Sequence, residues 1–252
     1  MGSGARFSVE GRVACVTGAS GGLGRAIATA LAEGGARVIG IARRADALDE
    51  WAAETGGETA TLAADLSEPG SAMRIAAEAT GPFGAPDILV NAAGINTRQA
   101  ADDVTPEGWS RTIDLNLAMP FFLAQAMVPA MRERGWGRIV NFASLQSSRA
   151  FPGGLAYGAS KGGIVQLTRA MAEAWSRDGI TANALGPGFF PTELTAPVFA
   201  DEARAARNAA QTCIGRNGTM ADIVGPALFL CSPASDYVTG QVLMVDGGFT
   251  AR

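Results

Sequence analysis

Ser144, Tyr157 and Lys161 are residues of the kinds that can polarise and protonate a single oxygen atom, and they stand close together in the chain. In Tyr157-Gly-Ala-Ser-Lys161 the phenol and the amine are four residues apart, which makes them neighbours on one face if the segment is helical. A phenol ionises near pH 10 in water, too high for a group that must give and take protons near neutrality; a nearby cation favours its ionised form. Two unit charges about 4 Å apart at an effective dielectric of about 20 interact by roughly 4 kcal/mol, against about 1.4 kcal/mol per pKa unit. Lys161 is therefore expected to draw the Tyr157 pKa down, with desolvation opposing it. Taken alone, Tyr-x-x-x-Lys is equally the pattern of a pair on a helix surface.

Such residues need elements to hold them beside a reactant. Arg12-Val-Ala-Cys-Val-Thr17 is a short apolar run suited to a buried parallel strand, and it leads directly into Gly18-Ala-Ser-Gly-Gly22-Leu-Gly24 and an alanine-rich helical stretch. Strand, glycine turn and helix form a dinucleotide-binding order. Glycines permit the tight turn and the close approach of a pyrophosphate, and the helix N-terminus offers free amide donors and a positive dipole end. The spacing is Gly-x-x-x-Gly-x-Gly, which differs from the general Gly-x-Gly-x-x-Gly fingerprint.

Over essentially its whole length the chain resembles the short-chain dehydrogenase/reductase family. The residues that carry the likeness are Thr17 to Gly24, Asn91-Ala-Ala-Gly94, the ordered set Asn116, Ser144, Tyr157 and Lys161, and Pro187-Gly188 with Thr192. The resemblance implies cofactor contacts from Gly18, Ser20, Gly21, Gly22, Leu23 and Gly24, from Asn91, Ala92 and Gly94, and from Pro187, Gly188 and Thr192. It implies that Tyr157 exchanges a proton with a substrate oxygen that Ser144 also hydrogen-bonds, while hydride passes between a nicotinamide and the adjoining carbon. Lys161 would favour the phenolate and hold the nicotinamide ribose. Asn116 would hold a proton-relaying water; its alternative reading is a helix-interior amide bonded to the backbone.

Composition agrees. The chain has 252 residues, a length at which α/β proteins are often one domain, so a single domain over 1–252 is expected. It has 33 glycines and is 48% apolar, which suits parallel strands buried on both faces. No histidine is present, which removes the usual imidazole base and the commonest metal ligand. Three cysteines, Cys15, Cys213 and Cys231, form no framework, and no metal is expected. A net charge of −4 with Lys and Arg dispersed argues against nucleic acid. No apolar run of about twenty residues was found and the first residues lack a signal-like segment, so no membrane span and a cytoplasmic location are expected.

Along the chain, strand and helix alternate. Strands are expected at 12–17, 37–42, 59–65, 87–91, 137–144, from about 180, and at 241–246, with helices near 23–34, 45–55, 69–80, 106–118, 119–134, from Tyr157, and near 219–231. Seven strands in a βαβ succession imply a Rossmann-type, doubly wound parallel sheet, with ligands at the carboxyl ends of the strands. The interruption between Gly186 and Thr219, broken by Pro187, Pro191 and Pro197, is expected to hold a substrate lid around 188–215.

The end of the second strand bears on which nicotinamide is used. An acid there would bond both ribose hydroxyls of NAD, whereas arginine accommodates a 2′-phosphate. This chain has Ala42-Arg43-Arg44, which favours NADP(H) through forked guanidinium donors and leaves NAD(H) possible; solvated charge at a helix start is the other reading. Asp65 and Leu66 are placed at the adenine, with Asp65 as a helix cap the alternative. Asn96, Gln146, Gly154, Gly188, Phe189 and Thr192, with Ser144 and Tyr157, are candidate substrate contacts, and Arg98 or Arg149 could meet a carboxylate. Stretches such as Ala143-Ser-Leu-Gln-Ser and Gly186-Pro-Gly-Phe-Phe-Pro-Thr-Glu-Leu194 resemble gluconate 5-dehydrogenase-like members of the family. That resemblance implies an alcohol–ketone interconversion on a sugar acid or polyol. A 3-oxoacyl carrier-protein reductase is the rival enzyme, and a catalytically silent NADP-binding regulator the rival of another class. The family also implies a homotetramer, with the C-terminal strand and Asp246-Gly-Gly-Phe249 at an interface.

Overall fold

β1 (Val13–Thr17) is buried along its entire length, as its unbroken apolar run demands of a strand covered on both faces. In the computed structural model, which describes residues 3–252, it lies near the middle of a seven-stranded sheet with β2 (Arg37–Ala42), β3 (Thr59–Ala63), β4 (Ile88–Asn91), β5 (Gly137–Phe142), β6 (Ile180–Pro187) and β7 (Val242–Val245). The strand order is β3-β2-β1-β4-β5-β6-β7 and every pairing is parallel. The chain winds outward from β1 to β3 and then crosses to β4. That reversal opens a crevice between the carboxyl ends of β1 and β4.

After a short turn of helix, α1 (Ser3–Arg6), the crossovers are made by α2 (Gly22–Glu33), α3 (Ala45–Thr55), α4 (Ala72–Ala79), α5 (Pro106–Ile113), α6 (Met119–Arg134) and α7 (Leu155–Trp175). α8 (Ala196–Phe199), α9 (Glu202–Gln211) and α10 (Met220–Cys231) lie between β6 and β7. Alternation along β1 divides the core. Ala14 and Val16 join Ile27, Leu31, Trp51, Ile223 and Leu230 on one face, and Cys15 joins Ile75, Leu123, Met127 and Met171 on the other. Burial pushes the Cys15 and Cys231 thiols up to about 12, so both serve as small apolar fillers.

The structure departs from the sequence reading at a few ends. β3 stops at Ala63 and β5 at Phe142, which frees Asp65 and Ser144 from the sheet to line its carboxyl edge. α4 begins at Ala72, after Ser71, where a helix from about 69 was expected. The two helices expected at 106–118 and 119–134 are one continuous helical run, joined by a π-helical turn over Asp114–Ala118. This run of 29 residues is long and apolar enough to match a bilayer, which corrects the sequence reading. Its apolar face, with Leu115, Leu123, Met127 and Met131, packs on the sheet, as in the core helix of a globular fold.

Candidate active site

The crevice at the β1–β4 divide encloses about 470 Å³ and gathers residues from distant parts of the chain. Its first wall is the loop after β1. Gly18 adopts a φ of +72°, and a side chain there would press on the Ala93 nitrogen at 3.0 Å. A Cβ at Gly24 would lie 2.4 Å from the Gly18 carbonyl oxygen. Neither position accepts a larger residue, so the backbone stays bare where α2 begins. The Gly21 cap of α2 brings no side-chain hydrogen bond to the first turn. Free amides, a positive dipole end and absent side chains together suit the pyrophosphate of a dinucleotide.

Thr17 fastens this loop to its neighbour: its hydroxyl donates to Val90 O at 3.4 Å and accepts from Ala93 N at 3.1 Å. Ala92 and Gly94 therefore line the crevice beside Gly18. Asn91, expected among the cofactor contacts, is instead buried in the sheet, where its amide donates to Asn141 Oδ1 at 2.9 Å and to Pro120 O at 3.4 Å. It positions strands and is absent from the crevice wall.

At one end of the crevice stand Arg43, Arg44, Asp65 and Leu66. Arg44 Nη2 donates to Ser20 Oγ at 3.2 Å, and Arg44 Nη1 is 2.6 Å from Glu193 Oε1. Asp65 Oδ1 accepts from the backbone and the hydroxyl of Ser67, at 2.9 and 2.7 Å. Those bonds, aided by Arg43 and Arg111, hold its carboxyl below the usual range. Asp65 caps the turn that follows β3, because α4 has Ser71 at its own N-cap position.

At the other end α7 supplies Tyr157 and Lys161 to the same wall. Lys161 is 4% exposed; its Nζ donates to Phe142 O at 2.6 Å and lies 5.6 Å from the Tyr157 ring centroid. Burial lowers its pKa to about 8. Burial raises the Tyr157 pKa above its ordinary value, with the Ser144 hydroxyl and the Arg98 charge pulling the other way. The expected lowering of the phenol by Lys161 is thus corrected: burial outweighs the lowering influences at Tyr157. Desolvation exceeds the attraction, and the ammonium spends its hydrogen bond on Phe142.

Ser144 lies two residues beyond β5 and caps the turn Leu145–Ser147, its hydroxyl accepting from Gln146 N at 3.1 Å. Ser147 Oγ donates to Lys161 O at 2.6 Å, which locks this turn to α7. Asn116 sits in the π-helical turn, 1% exposed. Its Oδ1 accepts from Ile95 N at 2.9 Å, and its amide donates to Ile95 O at 2.9 Å and Ser160 Oγ at 3.1 Å. The amide is committed to backbone and hydroxyl partners.

Asn96, Pro187 and Thr192 line the crevice as expected. Gly188 does not: a Cβ there would meet Asp246 Cα at 2.9 Å, and the residue borders a separate small cavity against Asp246. Phe189 packs edge-on to Phe151 and Phe249, with centroids 6.2 and 5.7 Å away. Gln146 and Gly154 pack together beside the start of α7, with Gln146 Oε1 buried and lacking a hydrogen-bond partner. Ile95, Arg111, Glu193 and Leu194 line the crevice without having been expected there. Arg111 lies on a helix face like any solvated arginine, and Glu193 is brought in from 149 residues beyond Arg44, so no local pattern marks either.

Residues 18–250 match the family described as enoyl-(acyl carrier protein) reductase. The chain is 41% identical over 249 residues to gluconate 5-dehydrogenase of Gluconobacter oxydans (strain 621H), covering 97% of this chain and 96% of the relative. It is 38% identical over 252 residues to 2-dehydro-3-deoxy-D-gluconate 5-dehydrogenase of Escherichia coli (strain K12), covering 98% of each. A gluconate 5-dehydrogenase from Burkholderia cenocepacia J2315, crystallised with NADP and tartrate, superposes with a TM-score of 0.92 at 38% identity, covering 98% of both chains.

Proposed function

Because the chain belongs to the short-chain dehydrogenase/reductase family, we propose that it is an NADP(H)-dependent oxidoreductase interconverting the secondary alcohol and ketone of a sugar acid. One observation carries the reading. Tyr157 and Lys161 face into the same crevice as the bare glycine loop, and Arg43 and Arg44 stand at its far end.

In reduction Tyr157 Oη gives its proton to the carbonyl oxygen of the substrate, and in oxidation it takes the proton from the hydroxyl. Ser144 Oγ, held just beyond β5 at the cap of the turn Leu145–Ser147, donates to the same oxygen and steadies the charge that gathers there. The nicotinamide, when bound, supplies or accepts the hydride. Lys161 Nζ, anchored on Phe142 O, would hold ribose hydroxyls and offset the charge of a phenolate. Burial raises the Tyr157 pKa and so favours the protonated phenol that a proton donor needs. Asn116 fixes the Ile95 backbone and the Ser160 hydroxyl, and through them the floor of the site.

The glycine loop would take the pyrophosphate, Asp65 and Leu66 the adenine, and the two guanidiniums the 2′-phosphate. NADP bound to the Burkholderia relative supports that choice. Arg98 supports the sugar-acid part of the reading. It is the one non-glycine residue with positive φ among the described residues, at 53°, and its charge is felt by the Tyr157 phenol. Asn96 Oδ1 accepts from its backbone N–H at 3.1 Å and holds that turn. The same relative was crystallised in complex with tartrate, a dicarboxylate, which supports the reading. Arg149, by contrast, is turned to the Arg252 carbonyl and the Phe249 ring.

Residues 188–215 act in this proposal as the lid of a single catalytic domain, with α8 and α9 within it. The protein works as a cytoplasmic homotetramer. Exposed Trp109, Phe122 and Leu155 on α5 to α7, and Leu243 on the edge strand β7, support assembly.

A panel of sugar acids, neutral polyols and 3-oxoacyl thioesters, followed by NADPH absorbance, tests the reading. Turnover should be strongest with a gluconate-type acid or its keto form. A preference for thioesters would point to the carrier-protein reductase instead, and cofactor binding without turnover on any substrate would point to a regulator.

A further inference from the structure

We infer that Glu193 is a determinant of cofactor specificity, its carboxylate competing with the 2′-phosphate of NADP for the guanidinium of Arg44. The inference rests on the NADP reading of Arg44 and adds a residue that opposes it.

Arg44 reaches back over the glycine loop. Its Nη2 donates to Ser20 Oγ at 3.2 Å, its Nη1 pairs with Glu193 Oε1 at 2.6 Å, and a Cβ at Gly21 would lie 3.3 Å from Nη2 and 3.5 Å from that carboxylate oxygen. The ion pair therefore sits directly above Gly21, at the lip of the crevice where the end of β2 meets the loop after β1. A phosphate at this lip needs the same forked donors.

Glu193 is held there. It belongs to the short helical turn Glu193–Thr195, which Thr192 caps by accepting from Thr195 N at 3.3 Å. On one side the Thr192 methyl packs on the glycine loop, 3.1 Å from where a Gly22 Cβ would stand. On the other, Leu194 O accepts from Arg98 Nη2 at 2.7 Å. The strap thus crosses the crevice from cofactor end to substrate end and offers one carboxylate at a fixed place. Both partners keep half or more of their side-chain surface in water, 51% for Arg44 and 73% for Glu193, so a dianion can displace the pair.

Glu193 also stands in for something missing. β2 ends in Ala42, where an acid would accept the ribose hydroxyls of NAD, and the Glu193 carboxylate supplies an acceptor at that end from another part of the chain. One residue then weakens NADP binding and favours NAD.

The test uses 2′,5′-ADP and 5′-ADP, which lack nicotinamide, with dissociation constants measured by calorimetry on the whole protein as wild type, Glu193→Gln and Arg44→Gln. Removing the carboxylate charge should tighten 2′,5′-ADP by about three- to fivefold, the scale of an exposed ion pair, and should not tighten 5′-ADP. Arg44→Gln should weaken 2′,5′-ADP selectively. If it does so while Glu193→Gln leaves the ratio of the two constants unchanged, the role of Glu193 is overturned and the NADP reading stands. If neither wild type nor Arg44→Gln distinguishes the two nucleotides, the NADP reading of Arg44 fails, and the inference with it.

Discussion

Lys161 Nζ lies 5.6 Å from the centre of the Tyr157 ring, yet the atom it hydrogen-bonds is the carbonyl oxygen of Phe142, at 2.6 Å. The last residue of β5 thereby holds an ammonium delivered by α7, and the phenol one helical turn earlier is held beside it. Burial acts on the two groups in opposite senses, lowering the pKa of the lysine and raising that of the tyrosine, so each leans towards its neutral form.

Replacing Tyr157 by Phe removes the proton donor and keeps the aromatic ring. Turnover should fall by about 10²- to 10⁴-fold, the usual worth of a positioned acid or base. NADPH affinity, read by fluorescence titration, should stay close to wild type. Retained wild-type turnover would remove Tyr157 from the chemistry.

Lys161 should impose a pH dependence on cofactor binding. Its pKa is lowered from 10.5 to about 8 by burial, so it is cationic below that pH and neutral above it. NADPH affinity should therefore fall as pH rises through about 8. Lys161→Arg, whose charge persists beyond about pH 12, should carry the fall out of the measured range. The same lowering bears on stability. Between pH 8 and 10.5 the unfolded chain holds more of this proton than the folded protein, so the contribution of Lys161 makes folding more favourable as pH rises across that window. An NADPH affinity flat from pH 7 to 10 would contradict the assignment.

Arg98 should matter for acids alone. Its guanidinium donates to Leu194 O and its charge reaches the Tyr157 phenol, which places it at the substrate end. Arg98→Gln should raise KM for a sugar acid by about tenfold, the equivalent of about 1.4 kcal/mol, and leave a neutral polyol almost unaffected. Arg149→Gln should leave both unchanged. An equal loss on acid and polyol would make Arg98 a holder of the strap only.

Much of the site was legible beforehand because its residues answer to local rules. Gly18 and Gly24 are glycines for want of room, with other backbone 3.0 and 2.4 Å from where a Cβ would stand, and such demands leave their mark on a short stretch of sequence. Tyr157 and Lys161 share a helix face, which a spacing of four reports. Gly188 and Phe189 were misplaced for the opposite reason. Where the chain goes after β6 depends on Asp246 in one case and on Phe151 and Phe249 in the other, which are remote in sequence.

The amino-acid order alone determined a parallel α/β sheet, a bare turn at its centre and a phenol–amine pair one helical turn apart, because apolar periodicity, glycine placement and i,i+4 spacing act within a few residues of themselves. The tertiary structure decided which way the balance of burial and charge tips at Tyr157, that Asn116 bonds to Ile95 and Ser160, and that Glu193 meets Arg44 across the crevice mouth. Those outcomes depend on distances between segments far apart in the chain, and desolvation and ion pairing take their size from such distances.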